Sequence, residues 1–221
     1  PCGFRSDAEV DAWLDQGREV VRFCQQVGCH LVLIDGGYKP DGLAAPEALE
    51  AQIRRAAAGA NAMGRICATA GLLCSWHQHW DTVFEYHAPF ERLMELTDPE
   101  LVRFTPDTAQ LSLGDFDVAG TIDRHAARIV YAHFKDLGPD RRFAELGTGT
   151  VDFRAAWEAL NSAGPFAGWI VVDLDYTALP PAQSCHLNKA YLNQTLGIFG
   201  AADHGGPQPL VQERQARGEI T

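Results

Sequence analysis

Polar side chains that can bind a metal ion stand at or near the ends of five short apolar segments. The segments are HLVLID (30–35), LLCSWH (72–77), LVRFTPD (101–107), RIVYAHF (128–134) and GWIVVDLD (168–175), and the polar residues are Asp35, His77, Asp107, His133 and Asp173. One buried histidine alone is more often a core residue than a ligand, but recurrence at every segment favours a shared site. Imidazole and carboxylate donors together suit Mn²⁺, Fe²⁺, Co²⁺ or Zn²⁺, and we expect Mn²⁺ or a close substitute.

The segment SWHQHWDT (75–82) contains two histidines separated by one residue. Side chains alternate along a strand, so His77 and His79 are predicted to face the same side of it. Trp76 and Trp80 then fall on the opposite side, where packing is at least as plausible as stacking on a sugar. Two histidines are therefore expected to face one site.

Helical patterns separate the five apolar segments. They cover about residues 7–27, 46–70, 90–96, 118–127, 153–163 and 183–196. Alternation of strands with helices predicts a parallel sheet, either a barrel or a doubly wound sheet, and HLVLID is typical of a strand buried on both faces. GxGxxG is absent, and ELGTG (145–149) is expected to be a loop turn rather than a phosphate site. In a barrel, the carboxyl ends of the strands open onto one face, which would bring the polar residues together.

Five segments, in order and at this spacing, resemble the xylose-isomerase-like TIM barrels, a family that includes sugar isomerases, epimerases and inosose dehydratase. They are SWHQHWDT (75–82), TDPELVRFTPDTAQL (97–111), RIVYAHFKDL (128–137), ELGTGTVDF (145–153) and GWIVVDLD (168–175). The resemblance covers about residues 7–197. It implies an α/β fold, a (β/α) TIM-type barrel of which this chain holds about five of the eight parallel strands.

The resemblance also implies a metal site. The family takes a Glu, an Asp, a His and a Glu from the ends of its last four strands, and by position these correspond to His77, Asp107, His133 and Asp173. His77 replaces the usual Glu, as in the inosose-dehydratase-like branch, which has H-x-H here. Asp173 is one methylene shorter than the usual Glu. The epimerases' proton shuttle of two glutamates is therefore in doubt, whereas metal binding is not.

The family chemistry is removal of a proton next to a carbonyl, giving an enediolate that the cation stabilises. His79 is the first candidate for the base, followed by Lys135 and Asp175. The structural alternatives are that Lys135 forms an ion pair with Asp136 and that Asp175 is a loop residue.

Three further residues are candidates for binding substrate. Gln110 stands where many relatives have a histidine, and its amide can hydrogen-bond a hydroxyl. Glu145 precedes the G-T-G turn, although it could equally be a solvated loop acid. Asp35 could bind substrate hydroxyls or cap the turn that follows it.

The resemblance implies a divalent-metal-dependent isomerase or epimerase of a keto sugar or sugar-like substrate. The H-x-H segment favours a dehydratase acting on an inosose-like ring instead, so keto sugars and cyclitols are both expected small-molecule partners. A non-catalytic sugar-binding or subunit-forming barrel is a third hypothesis, for which the missing glutamates are evidence. The same barrel serves endonucleases of abasic DNA, but those need a basic groove.

Charge and hydropathy exclude several other classes. The 29 acidic and 18 basic residues give a formal net charge of −11, which argues against binding to nucleic acid. A run of eighteen apolar residues and a signal peptide are both absent from this sequence, so we expect no membrane association and a cytoplasmic location. The six cysteines never form C-x-x-C and are expected to be free thiols.

Length and order predict an incomplete barrel. A partial (β/α) barrel domain is expected at residues 1–200 and a flexible extension, rich in glycine and proline and then polar, at 201–221. By family order, the strand that ends at Asp35 corresponds to the fourth of eight, so the first three units are expected to be missing. Five strands leave an open sheet edge that invites pairing with another chain, and a homo-oligomer is one expected arrangement.

Overall fold

A computed structural model of the chain describes residues 2–37 and 45–198. These residues pack as two compact units, the first extending to Thr105 and the second beginning at Pro106. Each unit is a mixed α/β body. The predicted C-terminal extension, 201–221, lies outside the described residues.

Among the described residues, the first unit consists of three α-helices, a short 3₁₀ helix at Val83–Glu85 and a three-stranded sheet. The helices are α1 (Asp7–Val27), α2 (Pro46–Thr69) and α3 (His87–Leu96), and the strands are β1 (Leu31–Ile34), β2 (Leu73–His77) and β3 (Arg103–Thr105). The strands are parallel in the order β1-β2-β3, with Ile34 opposite Trp76 and His77 opposite Thr105. Trp76 is fully buried beside Phe4 and Phe84, which confirms that it packs in the core.

The prediction that β1 is buried on both faces is wrong. Val32 and Ile34 are buried, but Leu31 is only partly buried and Leu33 is 37% exposed. The physical reason is the position of the strand, because among the described residues β1 is the edge of its sheet and pairs with β2 on one side only. An edge strand with one covered face shows alternating burial.

The described part of the second unit contains four α-helices, a short 3₁₀ helix at Ala126–Arg128 and two small sheets. The helices are α4 (Thr108–Leu113), α5 (Val118–His125), α6 (Phe153–Leu160) and α7 (Pro181–Gln194), and the strands are β4 (Tyr131–Phe134), β5 (Asp136–Leu137), β6 (Phe143–Ala144) and β7 (Trp169–Val172). β4 and β7 are parallel, with His133 opposite Val171, and β5 and β6 form an antiparallel hairpin. The core of this unit includes Phe134 packed on Phe153.

The five predicted strands are all present, each shorter than its apolar segment, as β1, β2, β3, β4 and β7. Two elements were not expected from the sequence, the short helix α4 and the β5–β6 hairpin. Both lie next to candidate site residues. Among the described helices, none is both long enough and apolar enough to span a membrane.

Candidate metal centre

The two carboxylate oxygens of Asp107 have different roles, one capping a helix and the other facing the candidate metal site. It is the N-cap of α4, and its Oδ1 accepts hydrogen bonds of 3.0 Å from the backbone N–H groups of Ala109 and Gln110. An aspartate at this position satisfies two amides that the first turn of a helix leaves unpaired. Oδ2 lies 3.6 Å from Nδ1 of His133 and 3.3 Å from Nζ of Lys135. The side chain is fully buried, so capping fixes the direction of Oδ2.

His133 is held on β4 by backbone pairing. Its N–H donates to the carbonyl of Pro106 at 2.9 Å, and it forms a parallel bridge with Asp107. The parallel register places Phe134 opposite Val172, so Asp173 follows directly beyond the paired residues. Oδ2 of Asp173 lies 3.3 Å from Nδ1 of His133. One imidazole nitrogen and two carboxylate oxygens thus converge in this unit.

The charges of this cluster shift the pKa values of its members. Burial lowers the pKa of His133, but the adjacent carboxylates of Asp107 and Asp173 outweigh that effect and raise it from 6.5 to about 9. The contact with His133 lowers the pKa of Asp173 from 3.8 to about 2, against the opposing effect of burial. Without a metal ion, the pair is therefore an imidazolium and a carboxylate at neutral pH.

The buried ammonium of Lys135 contacts the same carboxylate oxygens of Asp107 and Asp173 that face His133. Its side chain is 1% exposed, and Nζ lies 2.7 Å from Asp175, 3.2 Å from Asp173 and 3.3 Å from Asp107. Burial lowers the pKa of Lys135, but the negative charge of Asp107 and the other carboxylates raises it overall. The ring of Phe143, on the β5–β6 hairpin, covers the ammonium at 4.6 Å. A lysine held in its charged form is a proton donor rather than a base.

Thr108 anchors the backbone of Lys135. The Thr108 hydroxyl donates to the carbonyl of Lys135 at 2.7 Å and accepts the N–H of the same residue at 2.9 Å. The residue after the Asp107 cap is thereby tied to the residue that carries the ammonium. Thr108 was not identified from the sequence as a site residue, although it lies in the D-T-A-Q segment.

Asp136 does not pair with Lys135, so the alternative of an ion pair between them is wrong. Its carboxylate accepts four backbone N–H groups, from Leu137 at 2.8 Å, Gly147 at 2.9 Å, Gly149 at 2.8 Å and Val151 at 3.1 Å. Lys135 instead pairs with the three carboxylates named above. Alternation along the strand directs neighbouring side chains to opposite sides, which separates the two residues.

The G-T-G segment is a loop turn, as predicted, and it is organised by Asp136. A Cβ on Gly149 would collide with the Asp136 carboxylate and with the carbonyl of Leu137. Gly147 has a φ of 81°, in the left-handed region that favours glycine. The amides of this loop can approach the carboxylate closely because Gly149 lacks a side chain, whereas a Cβ on Gly147 would collide with the ring of Tyr191.

Two of the predicted substrate-binding residues lie in the second unit. Gln110 is buried in the first turn of α4. Glu145 is partly buried, and it accepts a hydrogen bond from the hydroxyl of Thr177, which lowers its pKa. Glu145 is therefore more than a solvated loop acid. Contact of either residue with substrate stays a prediction.

His77 and His79 lie together in the first unit, as expected. His77 ends β2, and the two imidazole rings are 5.6 Å apart at an angle of 72°. Nδ1 of His79 lies 2.5 Å from the carbonyl oxygen of Trp80. A carbonyl only accepts, so Nδ1 carries the proton and the lone pair of the neutral ring is on Nε2. The roles of both histidines in the site stay predictions from the sequence.

Asp35 caps the turn that follows β1. Its Oδ1 accepts the N–H of Gly37 at 2.7 Å, and Gly37 has a φ of 59°. The capping alternative for Asp35 is thus confirmed. A role in substrate binding stays a prediction.

Known proteins share both the sequence pattern and the fold. The family model for the xylose isomerase-like TIM barrel matches residues 1–191. An inosose dehydratase from Lacticaseibacillus casei is 28% identical over 173 residues, which cover 69% of this chain and 58% of that protein. An inosose dehydratase from Halalkalibacterium halodurans is 31% identical over 135 residues, covering 53% and 44%. The chain spans about half the length of the curated relatives it matches.

Solved structures agree on the fold at low identity. The IOLI protein with a bound zinc atom has a TM-score of 0.72 at 13% identity, over 90% of this chain and 74% of that one. An L-ribulose 3-epimerase has a TM-score of 0.70 at 18% identity, over 92% and 76%. With a family model matched over most of its length, this chain belongs to the xylose isomerase-like TIM barrel family.

Proposed function

We propose that this chain carries the metal site of an enzyme that dehydrates a cyclitol ketone of the inosose type. The observation that carries the proposal is the cluster of Asp107, His133 and Asp173 with a charged lysine, Lys135, against it. The similarity to inosose dehydratases over more than half of the chain supports the choice of substrate class.

The donors of the second unit fit a divalent transition metal. Asp107 Oδ2, Asp173 Oδ2 and His133 Nδ1 combine carboxylate oxygen with imidazole nitrogen, the mixture that suits Mn²⁺, Co²⁺, Fe²⁺ or Zn²⁺. These three residues would hold the ion, and we propose His77 as a further ligand from its place at the end of β2. Mn²⁺ is the proposed metal. When bound, such an ion polarises a carbonyl oxygen and stabilises negative charge that develops on it.

Dehydration also requires two proton transfers, which side chains of the protein would perform. A base must take the proton next to the carbonyl, and His79 is proposed for that role because its Nδ1 is protonated and its Nε2 carries the lone pair. Elimination also needs an acid that protonates the departing hydroxyl. Lys135 is proposed as that acid, because the surrounding carboxylates hold it in the ammonium form.

Asp175 is proposed as a positioning residue rather than a base. Its Oδ2 accepts the shortest of the lysine's contacts, 2.7 Å from Nζ. A carboxylate that accepts this hydrogen bond orients the ammonium and helps to keep its proton in place. The cluster around Lys135 therefore favours acid chemistry over proton abstraction.

Isomerisation or epimerisation of a keto sugar is the second candidate, and it shares the first proton transfer. Epimerisation needs two groups that exchange protons on opposite faces of one carbon. Lys135 is instead an acid beside the metal ligands, and an acid that protonates a departing hydroxyl favours dehydration. The net charge of −11 argues against the endonuclease reaction of some barrels of this type. A non-catalytic sugar-binding barrel is a third candidate, and it predicts binding without proton exchange.

The reaction can be tested with the full chain, Mn²⁺ and a panel of inososes and ketoses in D₂O. The proposal predicts loss of water from an inosose, seen as ultraviolet absorbance of the new C=C conjugated with the carbonyl. Deuterium at the α-carbon of a ketose with no loss of water would support the isomerase or epimerase instead. Binding with neither deuterium exchange nor water loss would support the non-catalytic barrel.

A further inference from the structure

Two cysteines meet at the carboxyl end of α1. Gly28 has a φ of 70°, and its N–H points to the carbonyl of Gln25 at 3.4 Å, while the N–H of Cys29 donates to the carbonyl of Cys24 at 2.8 Å. These two bonds define a Schellman motif, in which the side chains of the residues joined by the outer bond contact each other. In this chain both of those residues are cysteines.

The Schellman motif makes Cys24 and Cys29 neighbours at the end of α1, and the two thiols differ in exposure. Sγ of Cys29 donates to the carbonyl of Leu31 at 3.3 Å. Cys24 is buried and Cys29 is exposed. Burial, followed by the neighbouring Cys29, raises the pKa of Cys24. The Cys29 thiol can therefore react with a reagent from solvent, and the buried Cys24 thiol is its neighbour in the Schellman motif.

We propose that Cys24 and Cys29 form an oxidation-sensitive pair that closes to a disulfide with a small organic disulfide such as oxidised glutathione. The thiolate of Cys29 attacks the reagent, one small thiol leaves, and a mixed disulfide forms on Cys29. The thiolate of Cys24 then attacks Sγ of Cys29, and the second small thiol leaves. Two protein thiols lose two protons and two electrons in total, and the reagent is reduced to two thiols.

The same unit offers an internal comparison. Cys67 and Cys74 are a second pair of thiols, and the neighbouring Cys67 raises the pKa of Cys74 well above its usual value, but their exposed fractions are only 0% and 2%. A reagent in solution cannot reach either sulfur in the folded protein. We therefore expect oxidation to select the Cys24–Cys29 pair over the buried pair.

Peptide mapping can test the proposal on the folded chain. Trypsin cleaves after Arg22 and Arg54, and Pro40 protects the Lys39 bond, so Cys24 and Cys29 fall in one peptide, 23–54, with no other cysteine. After treatment with oxidised glutathione and alkylation of the remaining thiols, this peptide is expected to lack both alkyl groups and to have lost two hydrogen atoms. Cys185, an exposed cysteine on α7, serves as the reference for a mixed disulfide.

The variant Cys24→Ser sharpens the test. Removing the inner thiol should leave Cys29 as a stable mixed disulfide with glutathione, like Cys185. The proposal is overturned if the native chain also stops at the mixed disulfide on Cys29, or if Cys24 is alkylated to the same extent before and after oxidation. Neither readout uses a metal ion or a sugar, so the result is independent of the proposed enzyme activity.

Discussion

Nζ of Lys135 lies 3.3 Å from Oδ2 of Asp107, the oxygen that also faces Nδ1 of His133 at 3.6 Å. The ammonium thus contacts an oxygen that the proposed metal ion would use. Two cations compete for one set of carboxylates in this arrangement. A substitution at Lys135 should therefore affect metal binding and catalysis differently.

Replacing Lys135 by Met should slow dehydration strongly while keeping the metal. Loss of a general acid costs on the order of 100-fold to 10,000-fold in rate, and removal of the competing ammonium should leave metal affinity unchanged or higher. Turnover of an inosose and calorimetric titration with Mn²⁺ measure the two effects separately. Asp175→Asn is the matched variant, because it keeps the ammonium and loses its closest partner. An active Met variant would exclude Lys135 as the acid.

The raised pKa of His133 predicts how the stability of the metal-free chain depends on pH. A group with a folded pKa of about 9 and an ordinary value of 6.5 stabilises the fold fully below pH 6.5, and this contribution is lost as the pH rises through 9. Urea unfolding with a chelator present, for the native chain and His133→Gln, should show a stability difference that shrinks from pH 6 to pH 9. A difference that is constant over this range would contradict the assigned contacts.

The four amide contacts of Asp136 predict a large structural effect for Asp136→Asn. The side-chain NH₂ of the new asparagine would replace a carboxylate oxygen and would face backbone N–H groups, which are also donors. A lost hydrogen bond to a charged group costs about 1.5–3 kcal/mol of stability. We expect unfolding free energy to fall by about 3 kcal/mol or more. Asp140→Asn is the control, since Asp140 is exposed and accepts one amide, that of Arg142. Equal stability of the two variants would contradict a structural role for the four amide contacts of Asp136.

The two histidines of the H-x-H segment should have separable roles. His77→Ala is expected to weaken Mn²⁺ binding, because it removes a proposed ligand. His79→Ala should retain the metal and lose deuterium exchange at the substrate's α-carbon, because it removes the proposed base. Metal titration and exchange in D₂O, performed on both variants, check the assignment. If His79→Ala lost the metal and His77→Ala retained it, His79 would be the metal ligand and the proposed assignment would be wrong.

The sequence predicts the strands well because a buried strand leaves a run of apolar residues. The periodicity around β2 likewise places His77 and His79 together and Trp76 in the core. The exposed face of β1 was missed because an apolar segment alone does not show whether a strand lies at the edge of its sheet. Edge position depends on which strands pair, and that is a property of the whole fold.

The site was predicted only in part. Asp107 and His133 follow from their positions at strand ends, but the capping role of Asp107 and the short helix α4 were not expected. The partners of Asp136 were also missed, because its carboxylate binds backbone amides of a loop that begins about ten residues later. Backbone amides exist at every residue and leave no mark in the sequence. The two glycines at 147 and 149 were the available signal.

Elemental analysis of the purified chain, after incubation with Mn²⁺ and removal of unbound ions, tests the central claim most directly. The claim predicts a stoichiometric ion in the native chain. It also predicts none in Asp107→Asn, which can still cap α4 but removes the charge that faces Lys135 and His133. Asp107→Ala should lose both the ion and, by removal of the cap, about 1 kcal/mol of stability. A native chain that binds no divalent ion, or an Asp107→Asn variant that binds it equally well, would contradict the metal centre.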